Sequence, residues 1–169
     1  MIELNPKTQQ DFLNREWVQR LLDAGVDMSD AKYCICKHID STELKGDYVY
    51  LREDEHNNCY TINVIPTYTV SELLYKLHEW IYPTIDGKEY SGGLKMIKDA
   101  PFYICWYDLG RNEKRQTVDG EETVRVKGPE NYIFAEGEYP IESLASLLIQ
   151  CHKKDIGMER KDTGNISDK

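Results

Sequence analysis

The residues whose types and spacing best suit metal binding or catalysis are the closely spaced Cys34, Cys36 and His38, with Cys59 available as a further ligand. Zinc binds thiolate and imidazole groups at roughly 2.0–2.3 Å in a tetrahedron. If residues 33–39 form a strand, Cys34 and His38 lie about 13 Å apart along it, at roughly 3.3 Å per residue. An extended chain cannot bring all three side chains onto one ion. The favoured interpretation is therefore that small cysteine side chains pack on one sheet face. A zinc-binding protein or small enzyme that uses Cys34, Cys36, His38 and Cys59 is the alternative.

The other candidate nucleophiles lack the surroundings that catalysis needs. Cys105 lies inside the apolar run FYICWY, where burial raises a thiol pKa and makes the group unreactive. Cys151 and His152 are consecutive, and consecutive helical residues point about 100° apart, so they do not form a catalytic pair. No catalytic residues are predicted. The sequence therefore favours a protein that is not an enzyme, and no cofactor is expected.

Composition narrows the class of protein. A chain of 169 residues with 40% hydrophobic and 30% charged residues is typical of one globular domain. A net charge of −9 argues against nucleic-acid binding, which depends on neutralising phosphates. The N-terminus shows neither a signal peptide nor a membrane span, and five cysteines fit reduced thiols, so we predict a cytoplasmic protein.

The segment 67–83 carries the strongest structural signature. Thr69 and Glu72 have the spacing of a capping box, and Tyr68 and Leu73 have the spacing of a hydrophobic staple. Apolar residues continue at helical spacing as far as Ile81. The pattern predicts a capped amphipathic helix that ends before Pro83.

Two further helices have clear boundaries. The first runs from Arg15 to about Ala24, with Asn14 as its cap and Gly25 just after its end. The last begins with Pro140 in its first turn. Five of its residues share one predicted buried face: Ile141, Leu144, Ala145, Leu148 and Cys151.

The remaining segments predict strands. YCICKHI is one, and residues 48–53 and 59–65 alternate apolar and polar positions like the two arms of a hairpin. Residues 102–107 are apolar almost throughout, which predicts a central strand covered on both faces. Residues 111–127 predict a protruding polar hairpin with a mobile tip at Asp119-Gly120.

The order of these elements favours an α+β fold with about three helices packed on a mostly antiparallel sheet. We predict a single domain over residues 1–157, followed by a disordered tail at 158–169, which lacks apolar periodicity.

Three parts of the chain, which together cover most of residues 13–157, carry a resemblance: REWVQRLLDAGVD, then YTVSELLYKLHEWI with PFYICWYDL, and finally YPIESLASLLIQCHKKDIG. In these segments the chain resembles small accessory proteins of phages and prophages of gut bacteria. The resemblance implies an intracellular protein, but no activity and no site residues. The long polar hairpin around Asp119-Gly120 departs from the pattern.

The 12 tyrosines favour an interaction surface, because tyrosine buries a large area while keeping a polar group. We predict a non-enzymatic protein that binds another macromolecule, with a protein as its partner and a homodimer left open. The predicted contacts are Tyr82, Tyr90, Tyr107, Arg111 and Arg115. Weak binding of single-stranded nucleic acid is a further alternative, since lysines lie near several tyrosines.

Overall fold

A computed structural model of the protein describes residues 2–40, 43–53 and 61–156. Cys59 and the predicted tail at 158–169 lie outside these residues. The helices are α1 (Arg15–Asp23), α2 (Val70–Lys76) and α3 (Pro140–Lys153), with a short 3-10 turn at Thr8–Gln10. The strands are β1 (Ile2–Glu3), β2 (Tyr33–Asp40), β3 (Glu43–Leu51), β4 (Thr61–Thr67), β5 (Trp80–Ile81), β6 (Thr84–Ile85), β7 (Lys88–Glu89), β8 (Ser91–Asp99), β9 (Phe102–Thr117), β10 (Gly120–Lys127) and β11 (Phe134–Gly137).

The strands form antiparallel sheets, and the predicted α+β class with three helices is confirmed for the described chain. A four-stranded sheet has the order β1-β3-β2-β4. A five-stranded sheet has the order β10-β9-β8-β5, with β11 added against the first half of β9. A small third sheet pairs β6 with β7. Among the described helices, none has both the length and the apolar character that crossing a bilayer requires.

The predicted hairpin between residues 48–53 and 59–65 is wrong. Strands β3 and β4 both pair with β2, one on each side of it. Ile35 of β2 lies opposite Val49 on one flank and Ile65 on the other. Strands β3 and β4 are therefore consecutive in sequence but lie on opposite sides of β2.

The predicted starts of α1 and α2 are confirmed. The Asn14 side chain accepts a hydrogen bond from the Trp17 N–H at 3.1 Å, and Gly25 has φ 82°. The capping box of α2 is complete: Thr69 Oγ1 accepts from the Glu72 N–H at 3.3 Å, and the Glu72 carboxylate accepts from the Thr69 N–H at 2.8 Å. These bonds satisfy N–H groups that have no partner within a helix.

Helix α2 ends earlier than the apolar spacing predicts. It stops at Lys76, and Trp80 and Ile81 form β5, paired with Gly93 and Gly92 of β8. Apolar residues at positions 77, 80 and 81 fit one helical face, but the last two fit a short strand equally well. Pairing with β8 decides between the two conformations.

Removing the cap of α2 should lower stability measurably. We expect Thr69→Ala to reduce the free energy of unfolding by about 1 kcal/mol, because the Glu72 N–H loses its acceptor. Urea unfolding followed by circular dichroism measures the change. Ser71→Ala is the control, since the same helix keeps its cap; an equal loss in both variants would contradict the role of Thr69.

Helix α3 supplies much of the core. All five residues of its predicted buried face are at most 4% exposed. The helix packs against β9, β11 and the other two helices. The Cys105 thiol of β9 donates a hydrogen bond to the Ser143 carbonyl of α3 at 3.0 Å. The Tyr107 hydroxyl donates to the carbonyls of Leu77 and His78 at 2.7 and 2.9 Å, which ties the end of α2 to the same strand.

Burial leaves Cys105 and Cys151 protonated over a wide pH range. Desolvation raises the pKa of each thiol from 9.0 to about 12. A folded-state pKa above the unfolded value stabilises the protein fully below pH 9, and this stabilisation is lost as the pH rises from 9 towards 12. The predicted unreactive character of Cys105 agrees with this direction.

The protein should therefore be less stable to unfolding at alkaline pH. We expect the free energy of unfolding to decrease between pH 8 and about pH 10.5, and less steeply in the double variant Cys105→Ala, Cys151→Ala. Urea titrations at the two pH values measure how steeply the free energy of unfolding changes with pH in the parent protein and in the variant. Identical slopes in the variant and the parent protein would contradict a contribution from these thiols.

Candidate interaction surface

Within the described chain, the two faces of the five-stranded sheet differ in burial. Cys105, Tyr107 and Leu109 alternate along β9 toward α3 and are at most 4% exposed. Residues directly opposite each other in an antiparallel pair share a face. The intervening positions of β9 and their partners on β8, β5 and β11 therefore lie on the other side, which we call the outer face.

Large apolar side chains occupy the outer face. Trp80 is 52% exposed, Ile97 50% and Phe102 47%. Ile104, Trp106 and Phe134 are partly buried and lie between or beside them: Ile104 is opposite Ile97, and Trp106 is opposite both Lys95 and Phe134. Large apolar side chains exposed on one face are typical of interaction sites.

The Trp80 side chain packs against Gly93 on this face. A Cβ atom at Gly93 would lie 3.6 Å from the six-membered ring of Trp80, so the indole lies over the glycine backbone. The neighbouring Gly92 faces the core, where a Cβ atom would come within 2.7 Å of the Asp108 carbonyl oxygen. The Gly92-Gly93 pair therefore lets β8 pack closely against its neighbours.

The prediction that residues 102–107 are covered on both faces is wrong. The side toward α3 is buried, whereas on the other side Ile104 and Trp106 are only partly buried and Phe102 is 47% exposed. An apolar run along β9 thus combines a core face with a surface face. The described chain leaves the outer positions partly exposed although they are apolar.

Charged residues surround the apolar patch with mixed sign. Lys95 and Asp99 of β8, Asp108 of β9 and Glu136 of β11 share the outer face. Arg125 and Lys127 of β10 lie opposite Asn112 and Gly110 on the same side, so three cations balance three carboxylates and give little net attraction for a phosphate backbone. Aromatic rings alone do not make a nucleic-acid platform, which needs cationic groups beside them.

The five predicted contact residues do not form one site. Tyr82 is 62% exposed and follows β5 directly. Tyr90 is half-buried, with the Arg111 guanidinium 5.8 Å from its ring centre, and Arg111 also pairs with Glu113. Arg115 is exposed on the β9–β10 hairpin.

Tyr107 is the exception among them, because its predicted exposure is wrong. Its side chain is 4% exposed, and desolvation raises the pKa of its hydroxyl far above the usual range. A buried hydroxyl with two carbonyl acceptors serves the core.

The predicted polar hairpin is present as β9 and β10. Lys114 pairs with Glu121 across it at 2.7 Å, and Val118 at its tip is fully exposed. Arg125 of this hairpin lies across Gly110 and donates to the Ser91 carbonyl at 2.9 Å, which anchors the base of the hairpin to β8.

The cysteines of β2 are buried in a small cluster of their own. Cys34 and Cys36 lie on the same sheet face with Tyr48 and Tyr50. Desolvation raises the pKa of Cys36, which disfavours the thiolate that zinc requires. Within the residues that the structure describes, no three His, Cys, Asp or Glu side chains are placed to hold a metal ion. Cys59 lies outside those residues, and the His38 side chain is not among the described ones.

A second polar cluster joins α2 to the loop before β2. The Tyr68 hydroxyl donates to Asp30 at 2.7 Å and to the Asp27 carbonyl at 3.0 Å. Lys76 forms an ion pair with Asp30 at 2.9 Å. Burial raises the pKa of Asp30, but the hydrogen bonds from Lys76 and Tyr68 outweigh it and lower the pKa overall. All these groups have partners in the protein, so the cluster stabilises the loop.

Sequence patterns missed the residues of the outer face: Trp80, Ile97, Phe102 and Trp106. The available signal was the continuous apolar run at 102–107, in which both alternating sets are apolar. The arrangement offers binding area, and among the described residues no group on it lies beside a partner that would make it a nucleophile or a general base. Comparison of the chain with protein-family models, with curated proteins and with solved structures found no match.

Proposed function

We propose that this is a non-enzymatic interaction protein that binds another protein through the outer face of its five-stranded sheet. The observation that carries the proposal is the exposure of three large apolar side chains, Trp80, Ile97 and Phe102, on one sheet face. Residues of this kind are costly to leave in water and are enriched in the buried centres of protein interfaces. An accessory role of the kind that the sequence resemblance implies is part of this proposal.

Trp80 is the expected centre of the contact. Tryptophan is the residue most enriched among those that dominate binding energy, especially where neighbouring groups exclude water. Here the indole is held over Gly93, and Lys95 and Asp99 stand at the rim as charged groups. The polar hairpin of β9 and β10 extends from the same sheet and provides a second contact.

Site-specific crosslinking tests the proposal. A benzophenone amino acid at position 80, in the cells that naturally produce the protein, should give one discrete adduct with another protein after irradiation. The same group at position 22 is the control, because Leu22 is 40% exposed but lies on α1, away from the outer face. Equal labelling at both positions would contradict the proposal.

A matched pair of variants then tests binding directly. Trp80→Ser should abolish recovery of the crosslinked partner with the purified protein, while Leu22→Ser should leave it unchanged. Deletion of residues 112–124 should weaken recovery if the hairpin contributes. Full recovery with the deletion would remove the hairpin from the interface, and full recovery with Trp80→Ser would overturn the proposed face.

A further inference from the structure

One edge of β8 is open over its second half. Strand β5 pairs only with Gly92 and Gly93, and the Leu94 N–H donates to the Glu79 carbonyl at 2.9 Å. Beyond Leu94, no other strand of the described residues lies on that side of β8. Residues 95–99 are all exposed. Unpaired strand edges are sites where another strand adds by backbone hydrogen bonding.

The direction of the backbone groups along this edge is fixed. The Leu94 N–H points away from β9, and the β8–β9 pairing continues to Asp99 without a register shift. Backbone direction alternates along a strand, so the N–H and C=O groups of Met96 and Lys98 point out of the sheet edge. Those of Lys95, Ile97 and Asp99 point toward β9. Only Met96 and Lys98 are therefore available to an added strand.

We propose that two copies of the protein pair antiparallel through the β8 edge, on a two-fold axis at Ile97. In this register Met96 of each copy lies opposite Lys98 of the other, and the two pairs exchange four backbone hydrogen bonds. Ile97 lies opposite Ile97 of the second copy as a non-hydrogen-bonded pair, in which side chains approach most closely. A two-fold axis makes the interface self-complementary.

Charge complementarity selects this register. Lys95 of each copy lies opposite Asp99 of the other, both on the outer face, so the dimer gains two cross-strand pairs of opposite charge. On the inner side, the aliphatic stem of Lys98 lies against Met96, which is 42% exposed in the single chain. The apolar pair of Ile97 residues continues on each side into Ile104.

The neighbouring registers are each excluded by a local conflict. An axis at Met96 requires the Leu94 N–H, which already bonds to Glu79, and places Lys95 opposite Ile97. An axis at Lys98 sets two lysines directly opposite each other, which is destabilising. An axis between two residues pairs outward-pointing backbone groups with inward-pointing ones and forms no ladder.

This inference does not depend on the proposed function, because a chain that binds no other protein can still dimerise. The dimer would join two outer faces into one continuous surface with two Trp80 side chains. Trp80 lies outside residues 95–99, so Trp80→Ser should abolish recovery of another protein without changing the dimer. If the protein dimerises but binds no other protein, or binds another protein but does not dimerise, only one of the two proposals fails.

Charge reversal tests the pairing. Sedimentation velocity at graded concentrations should show a dimer of the tag-free protein that dissociates on dilution. Lys95→Asp and Asp99→Lys should each raise the dissociation constant on the order of tenfold or more, because each puts like charges opposite each other twice. The double variant should restore dimerisation. Lys88→Asp, an exposed lysine of β7, is the control for net charge and should leave the dimer unchanged.

A designed crosslink tests the axis itself. Ile97→Cys should form a disulfide between two copies under mild oxidation, because an antiparallel pair places the two Cα atoms within bonding range. Val118→Cys, equally accessible at the hairpin tip, is the control. A monomer at every concentration, no rescue in the double charge variant, or equal crosslinking at positions 97 and 118 would each overturn the proposal.

Discussion

Replacement of Leu77 by alanine is expected to lower the free energy of unfolding by roughly 2–5 kcal/mol. Leu77 follows α2 directly and is completely buried. Its N–H donates to the Leu73 carbonyl at 2.9 Å, and its own carbonyl accepts from the Tyr107 hydroxyl at 2.7 Å. Truncation removes buried methyl groups and leaves a cavity at the junction of α2 and β9, where these backbone bonds restrict collapse.

The same segment provides a matched control. Leu74 lies three residues earlier, has the same side chain and is 40% exposed. Leu74→Ala should change stability by less than about 1 kcal/mol, since alanine is also a good helix former. Urea unfolding of both variants, with the slope of each transition checked against the parent protein, measures the difference. Equal losses would show that Leu77 is not a core residue.

This comparison also shows what sequence patterns could predict around α2. The capping box and the burial of Leu73 and Leu77 follow from local rules, because each depends on residues within one or two turns. The residue at which the helix ends does not follow from local rules. Trp80 and Ile81 leave the helical path because β8 offers backbone partners, and that information lies more than ten residues away.

Strand pairing shows the same dependence on distant partners. The arms at residues 48–53 and 59–65 are consecutive in sequence and have hairpin-like patterns, but β2 lies between them. Ile35 and Val49 are both fully buried, whereas the alternation within each arm is satisfied by either arrangement. Periodicity sets which face of a strand is buried and leaves the choice of neighbour open.

The outer face could not be identified from sequence for a related reason. A run that is apolar at both alternating sets predicts burial on both sides. In this protein one set, including Cys105, faces α3, and the other, including Phe102, faces outward. The two cases have the same sequence pattern and differ only in whether a second layer of this chain covers the strand. The apolar run therefore predicts a strand with two apolar faces, but not that the described chain leaves one of them partly exposed.

The packing of α3 on β11 leads to the second large expected effect. Gly137→Ala should lower the free energy of unfolding by about 1–3 kcal/mol or more. A Cβ atom at Gly137 would lie 2.4 Å from the Ser143 nitrogen and 2.9 Å from the Glu142 carbonyl carbon. Both are backbone atoms in the first turn of α3, so a side-chain rotation cannot relieve the overlap. The helix must move away from β11.

Movement of that turn would also disturb its cap. The Glu142 carboxylate accepts hydrogen bonds from the N–H groups of Glu138 and Tyr139 at 3.1 and 3.3 Å. These residues connect β11 to α3, so a displaced helix loses the bonds together with part of its core contact. The predicted Pro140 start of α3 is confirmed, but the tight approach behind it was not visible in the sequence.

Gly46→Ala provides the matched control for this substitution. A Cβ atom at Gly46 would meet no atom of the described residues within 4 Å, and its φ is not in the left-handed region. Removing glycine there should leave stability unchanged or raise it by about 0.4–1 kcal/mol, because the unfolded chain loses conformational freedom. Opposite signs for the two variants in urea unfolding would establish that close backbone contact, rather than glycine content, explains the effect. A neutral Gly137→Ala variant would mean that α3 is not seated on β11 as the geometry indicates.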